Sequence, residues 1–513
     1  MYLTQGLHRS VQQTPDEVMT IFGDRTRTFR EVADRVARLA GALTDLGVGS
    51  GDRVAILSLN SDRYHECLLA IPWADAVMTP VNIRWSAAEV AYSLEDSESK
   101  VLVVDDTFAA MLPALRERYP ALKTVIHAGE GSTPEGCLSF EELVAAASPI
   151  EDARRSGDEL AGIFYTGGTT GLPKGVMLSH TNMVTQNLGF MASRAFLGAG
   201  TRFLHAAPMF HLADLAGWGG QVLLGGTHVI VPAFDPVAVA KAIEQHRVTD
   251  VLLVPTMIQV LVDHPAVKEL DLSSLERVVY GASTIPEALL RRAMSTLPQT
   301  SFIQGYGMTE LAAVATILGA DEHRAGGRLL RSAGRAAPHV ELRIVDEAGA
   351  TVPAGTVGEV TVSGPNVMLG YWNRPEETAA ALRGGWMHTG DGGYLDEEGY
   401  LFIVDRLKDM IVTGGENVYS AEVENAIASH PAVASCAVIG VPDEEWGERV
   451  HAVVVCRPDQ TVSLDELRAH TKDLIASYKA PRGVDVVEAL PVSAAGKILK
   501  RELRERYRVA TPE

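Results

Sequence analysis

Residues 165–176 read YTGGTTGLPKGV. Gly167, Gly168, Gly171 and Gly175 stand here among Thr166, Thr169, Thr170 and Lys174. Glycine lacks the Cβ that would keep backbone N–H groups away from an anion. Threonine hydroxyls add donors, and a lysine adds a point charge. The composition fits a loop that wraps a polyphosphate. The usual P-loop needs Gly-Lys followed by Ser or Thr. Pro173-Lys174-Gly175 stands here instead, so an ordinary P-loop reading fails. The plain alternative is a surface loop rich in turn residues. The run before the loop, LAGIFYT, is strand-like. In sheets of alternating strands and helices, ligands bind at the carboxyl ends of strands.

Such alternation extends outward on both sides. RVAILS (53–58) and KVLVVD (100–105) read as strands, with a helix predicted over 63–74. TDVLLVP (249–255), RVVYGAS (277–283) and SFIQGYG (301–307) read as strands that run into Gly or Pro turns. Helical patterns cover 237–246 and 286–294. This order predicts an α/β chain whose parallel sheets are covered by helices. After about Gly334 the pattern becomes that of half-exposed strands, VELRIVD, GEVTVSG and GYLFIVD, which suits a small antiparallel barrel. From Arg406 a compact α+β unit is expected, with helices at 420–429, 463–477 and 497–507 and strands at 434–441 and 449–456. The expected domains are 1–405 and 406–513, with the boundary within 405–408.

The chain has 513 residues, 46% hydrophobic and 21% charged, as in an ordinary globular protein of about two to four domains. A net charge of −20 argues against a general nucleic-acid binder. Cys67, Cys137, Cys436 and Cys456 form no CxxC pair and no zinc pattern. They read as reduced thiols of a cytoplasmic protein. No apolar run of about 18 residues predicts a spanning helix, and the N-terminus has no signal-peptide core. Peripheral membrane contact stays open.

Further motifs follow in order: PMFH (208–211), YGAST (280–284), GYGMTE (305–310), WMHTGD (386–391), VDRLKDMI (404–411), TGGENVYSAEVE (413–424) and PVSAAGKILK (491–500). With the glycine loop, they make the chain resemble the adenylate-forming superfamily: acyl-CoA synthetases, firefly-type luciferases and the adenylation domains of peptide synthetases. The resemblance spans about Val11 to Tyr507. The family loop usually reads TSGTTG, and this chain has Gly167 where serine is commoner. The resemblance implies a large N-terminal domain of two helix-covered sheets plus a small β-barrel. A small mobile α+β C-terminal domain would follow, hinged near Lys408.

It also implies a chemistry. A carboxylate is a poor acyl donor, and joining it to the α-phosphate of ATP makes AMP the leaving group. One anion must attack another, so catalysis rests on charge neutralisation and in-line positioning. The resemblance assigns ATP phosphate contacts to Thr166, Gly167, Gly168, Thr169, Thr170, Gly171 and Lys174. Gly281, Ala282 and Ser283 would lie beside adenine. In Gly305-Tyr306-Gly307, the tyrosine would stack on the base. Thr309 would touch the α-phosphate, while Glu310 and Thr166 would hold Mg2+. Asp391 would accept from the ribose hydroxyls, helped by Arg406. Lys497 would bridge the acid carboxylate and the α-phosphate. Gly414 and Gly415 would let the pantetheine of coenzyme A pass, and His211 would stand between acyl and thiol sites. Each segment also has a plainer reading. Glu310 suits a first helical turn, Arg406 a surface ion pair, Gly496-Lys497 a helix start, and His211 a structural histidine.

The implied reaction turns a carboxylic acid, ATP and CoA into acyl-CoA, AMP and diphosphate, and a homodimer is a family-level expectation. The apolar Leu212, Leu215, Leu311 and Val314 beside small Ala213, Ala216, Gly217, Ala312 and Ala313 favour a medium or long acyl chain, or a flat ring, over acetate, and a medium- or long-chain fatty acid is the expected substrate. An aromatic or other non-fatty acid, a carrier-protein acceptor, a luciferase-like oxygenase and a non-catalytic sensor are the alternatives. His211 stands where peptide-synthetase domains carry an aspartate for the amino group, which disfavours an amino acid. Asp214 reopens that question or caps a helix.

Overall fold

The computed structural model describes residues 1–166, 173–193, 198, 200–406, 409–414, 416–443, 445–493 and 496–508, without the side chains of Arg406 and Arg508. Apolar runs form its central strands, among them Arg53–Leu57, Val101–Val104, Asp250–Leu253 and Arg277–Gly281. Strands covered on both faces carry continuous rather than alternating apolar residues. Arg53–Leu57 lies between Val77–Pro80 and Val101–Val104, parallel to both, in an eight-stranded sheet. Asp250–Leu253, Arg277–Gly281 and Ser301–Tyr306 are parallel neighbours in a nine-stranded sheet. One core cluster joins the two sheets. It runs from Val54, Ile56 and Met78 of one sheet through Tyr64, Leu68, Leu215 and Trp218 on helices to Met19 and Ile230 of the other.

The strand Leu160–Thr166 is followed by a second strand, Lys174–Ser179, antiparallel to it, with Thr166 opposite Lys174 at the end joined by the glycine-rich segment. The glycine-rich segment therefore joins a hairpin. In an ordinary P-loop the same segment would lead from a strand into a helix. Further on, Glu341–Val345, Gly358–Ser363, Trp386–Leu395 and Leu401–Arg406 build an antiparallel sheet where the small barrel is expected.

The C-terminal domain is built on the long pair Val433–Asp443 and Gly447–Cys456. Helices Ser420–Ala428, Leu464–Lys472 and Lys500–Arg508 pack around it. Two helix bounds differ from expectation by more than one residue. The middle helix ends at Lys472, five residues early. The last helix starts at Lys500, because Val492 and Ile498 pair across a hairpin that holds Lys497. Cys436 and Cys456 lie on the paired strands opposite Val454 and Val433, and all four thiols are free. Among the described residues no helix is long and apolar enough to cross a membrane.

A buried polar cluster ties this domain to the strand Leu401–Arg406. The Lys500 ammonium is 2.7 Å from Glu424 and donates to Ser420 Oγ at 2.5 Å. Ser420 in turn donates through N and Oγ to Asp405, both at 2.6 Å. Burial opposes the Lys500 charge, but Glu424 and Asp405 outweigh it and raise its pKa. Lys500→Met would leave Glu424 without the ammonium it faces at 2.7 Å. It is expected to destabilise the C-terminal domain by about 3–5 kcal/mol, read as a shifted urea midpoint with the N-terminal transition unmoved.

Candidate active site

The expected adenine-side residues lie together at the carboxyl ends of two neighbouring strands, with Gly281 directly opposite Gly305. A Cβ on Gly281 would run into the carbonyl oxygen of Gly305, and one on Gly307 into that of Ala313. Ser283 follows, half-buried, just past the strand end. Ala282, Ala312 and Ala313 have φ of +65°, +52° and +106°. Alanine in that region costs about 1–2 kcal/mol, and such strain gathers where backbone is held for a ligand.

Tyr306 donates its phenol to Asp391 Oδ2 at 2.7 Å. Asp391 is buried in the strand Trp386–Leu395, and its backbone pairs with that of Arg406. Base-side and ribose-side candidates thus meet from two different sheets. Thr309 and Glu310 sit on a short 3-10 turn that follows. Glu310, 6% exposed, accepts from the phenol of Tyr371 at 2.8 Å. The Lys174 ammonium lies 5.2 Å from the centroid of the same Tyr371 ring. Tyr371 is on a strand paired with Lys174–Ser179, so it links the hairpin to the carboxylate.

Other side chains absent from the sequence reading pin the feet of the hairpin. Tyr165 donates to Asp96 Oδ2 at 2.6 Å, and Tyr92 donates to the Pro173 carbonyl at 3.2 Å. Trp372 donates through its backbone N to Gly175 O at 2.7 Å and through its indole to Asp96 O at 2.8 Å. Tyr92 and Asp96 both belong to the helix Ala87–Asp96. Thr166 and Lys174 are therefore held at the two ends of the loop. Gly167, Gly168, Thr169, Thr170, Gly171, Lys408 and Gly415 lie outside the described residues, as does the side chain of Arg406.

His211 precedes the helix Leu212–Leu224, its ring 4.5 Å from that of Phe210. Burial, and then the ammonium of Lys497, hold its pKa down to about 3, so it is neutral. That interaction brings the C-terminal Lys497 to the N-terminal site. The lysine sits in a tight turn: Ser493 N donates to Lys497 O at 2.7 Å and Lys497 N to Ser493 Oγ at 3.1 Å. Gly496 has φ +71°, and a Cβ there would stand 2.7 Å from Thr256 Oγ1 and 2.8 Å from Val254 Cγ2. The turn therefore docks just past the strand Asp250–Leu253.

Two other candidates lie elsewhere. Asp214 is in the first turn of the helix Leu212–Leu224, fully buried, with Oδ2 2.6 Å from His205 Nδ1. His205 Nε2 is in turn 2.9 Å from His228 Nδ1. This carboxylate is committed to a histidine pair inside the core. Gly414, at φ +60°, has Trp446 where a side chain would go, and Arg482 lies over that indole at 4.0 Å.

Among the described residues no three His, Cys, Asp or Glu converge on a metal position. The donors expected from the sequence are the Glu310 carboxylate and the Thr166 hydroxyl. Hard oxygens in such small number suit Mg2+, which is usually held by one or two carboxylates together with substrate phosphates.

Tyr306 meets Asp391 across two sheets, Tyr371 links Lys174 to Glu310, and the sequence matches a known family over most of its length. The model of the AMP-binding enzyme matches residues 7–372, and that of the AMP-binding enzyme C-terminal domain matches 422–497. The chain belongs to the AMP-binding enzyme family. A feruloyl-CoA synthase of Amycolatopsis sp is 41% identical over 97% of this chain and 98% of its own. A fatty acid–acyl-carrier-protein ligase of Streptomyces coeruleorubidus is 36% identical over 98% and 96%. The solved o-succinylbenzoate CoA synthetase of Bacillus subtilis, in complex with its acyl-adenylate intermediate, superposes with a TM-score of 0.84. It is 32% identical and covers 97% of each chain. This AMP-binding enzyme is an AMP-forming acid–thiol ligase that works through an acyl-adenylate, drawing on ATP and CoA.

Proposed function

We propose that the acid is a flat aromatic carboxylate of the arylpropenoate class and that the acyl group passes to CoA. The packing of the acyl wall supports this most. Leu212, Leu215 and Trp218 on one side and Leu311, Ala312 and Ala315 on the other are all buried in a single core cluster. Trp218 is fully buried, and its indole N–H is committed to His65 Nδ1 at 3.0 Å. An apolar wall whose large side chains are already packed into the core suits a short, planar acid better than a long flexible chain. The 41% identity to a feruloyl-CoA synthase points the same way. The fatty-acid expectation is the second reading, favoured by the relative that acts on fatty acids.

In the proposed mechanism Tyr306 turns its ring to adenine while Asp391 accepts from ribose. Lys174 and the loop it closes hold the phosphates, and Glu310 and Thr166 would hold Mg2+, which screens charge on the phosphates when bound. Lys497 brings the carboxylate oxygen to the α-phosphorus. That O–P bond forms as the bond to the leaving diphosphate breaks. Neutral His211 adds no second positive charge there. CoA sulfur then attacks the carbonyl carbon and AMP leaves. For the second step the Lys497 turn must give way, and we place the domain division at 405–406 with its hinge near Lys408.

A panel of acids tests the substrate class. Ferulate, coumarate and cinnamate are expected to exceed decanoate and palmitate by about ten-fold or more in kcat/KM for CoA- and ATP-dependent diphosphate release. A methylene's worth of misfit in an apolar pocket already costs that much. A preference for decanoate or palmitate would overturn the aromatic reading.

A further inference from the structure

We infer that Arg84 seats the Lys497 turn, as a positioning residue for adenylate formation that acts through backbone carbonyls; this rests on the proposed role of Lys497 in that step. Arg84 belongs to the N-terminal domain, and its Nη1 donates to the carbonyl oxygens of Ser493 at 3.2 Å and Val492 at 3.4 Å. These carbonyls lie on the strand of the hairpin that enters the turn, and Ser493 itself bonds Lys497 through both N and Oγ. The guanidinium thus acts one residue's reach from the backbone of the lysine. Among the described residues Arg84 forms no ion pair, and its side chain is exposed. A cation spent on two neutral carbonyls of another domain is placed for docking more than for local stability.

The loop that presents Arg84 is held by local hydrogen bonds. Asn82 accepts the Arg84 N–H through its side chain at 3.0 Å and the Trp85 N–H through its carbonyl at 3.2 Å. Ser86 and Glu89 then form a capping box on the helix Ala87–Asp96. That helix holds both feet of the glycine hairpin through Tyr92 and Asp96. Trp85 packs edge-on against Tyr165, with ring centroids 6.3 Å apart. One short segment therefore holds Tyr165 and Pro173 on one side and the lysine turn on the other. Gly496 against Val254 and Thr256 supplies the apolar part of the same dock.

Arg84→Ala is expected to lower acid-dependent ATP–diphosphate exchange about ten-fold, the size of one charge-assisted hydrogen bond in a partly solvated place. KM for ATP and acid should stay within about two-fold, since Arg84 touches neither. Transfer of a chemically prepared acyl-adenylate to CoA should be unchanged. Combining Arg84→Ala with Lys497→Ala should be no worse than Lys497→Ala alone, because both act through one group. Arg84→Lys should recover part of the exchange rate. Equal loss in both half-reactions, or full additivity with Lys497→Ala, would overturn the inference. A readout free of any substrate is the rate at which acetic anhydride labels Lys497, followed by mass spectrometry. Arg84→Ala should raise it several-fold against other lysines, and an unchanged rate would overturn the seating role. If no acid of the panel is activated but this labelling rises, the substrate reading fails and the seating role stands.

Discussion

Lys497→Ala is expected to cut acid-dependent ATP–diphosphate exchange by about 10²–10³-fold, the usual cost of removing a charge-stabilising donor from a preorganised site. The reason is geometric. Two anions must meet, and this ammonium reaches the site on a turn docked at Val254 and Thr256, close enough to depress the His211 pKa. Thioester formation from a preformed acyl-adenylate is expected to survive within about three-fold, because adenylation is already complete when that step begins. The two rates, measured side by side on one preparation, check this. Parallel loss in both would mean that the lysine serves the fold or both steps alike.

Glu310→Gln is expected to cost about 100-fold in the same exchange reaction and to raise the Mg2+ concentration needed for half-maximal rate. The amide keeps an oxygen for the Tyr371 phenol, which now donates at 2.8 Å. It removes the negative charge that the cation would meet. The melting temperature should therefore move by no more than a few degrees. A wild-type Mg2+ dependence in this variant would remove Glu310 from the metal role and return it to the plain reading of a helix-start acid.

The parallel sheets were legible because strands buried on both faces, such as VLVV and DVLL, leave unbroken apolar runs in the sequence. The antiparallel return of Lys174–Ser179 was not, since a glycine loop after a strand looks the same before a helix or a second strand. The start of the last helix was read three residues early for a related reason. ILKREL favours helix locally, yet Ile498 is claimed by Val492 across a hairpin, and tertiary pairing overrides propensity.

Site residues inside compact motifs, such as Tyr306, Glu310 and Asp391, could be read as candidates because glycines or a TGD signature surround them. Tyr92, Asp96, Tyr371 and Trp372 were missed. Each works through a contact distant in sequence, on residue types that serve many other purposes. Gly370-Tyr371, an aromatic after a glycine, is the only local hint. Asp214 shows the opposite case. Its place beside PMFH raised an amino-acid substrate, and only the 2.6 Å approach of His205 reveals where its carboxylate is spent.

Activation of the acid as an acyl-adenylate at the Lys497 turn is the step from which the rest of the proposed mechanism follows. It is tested most directly with ferulate carrying oxygen-18 in its carboxylate, incubated with enzyme, ATP and CoA, with the products weighed by mass spectrometry. Feruloyl-CoA and an AMP that has gained one labelled oxygen are expected, with unlabelled diphosphate. Label in inorganic phosphate beside ADP, or a thioester formed with no label in AMP, would contradict it.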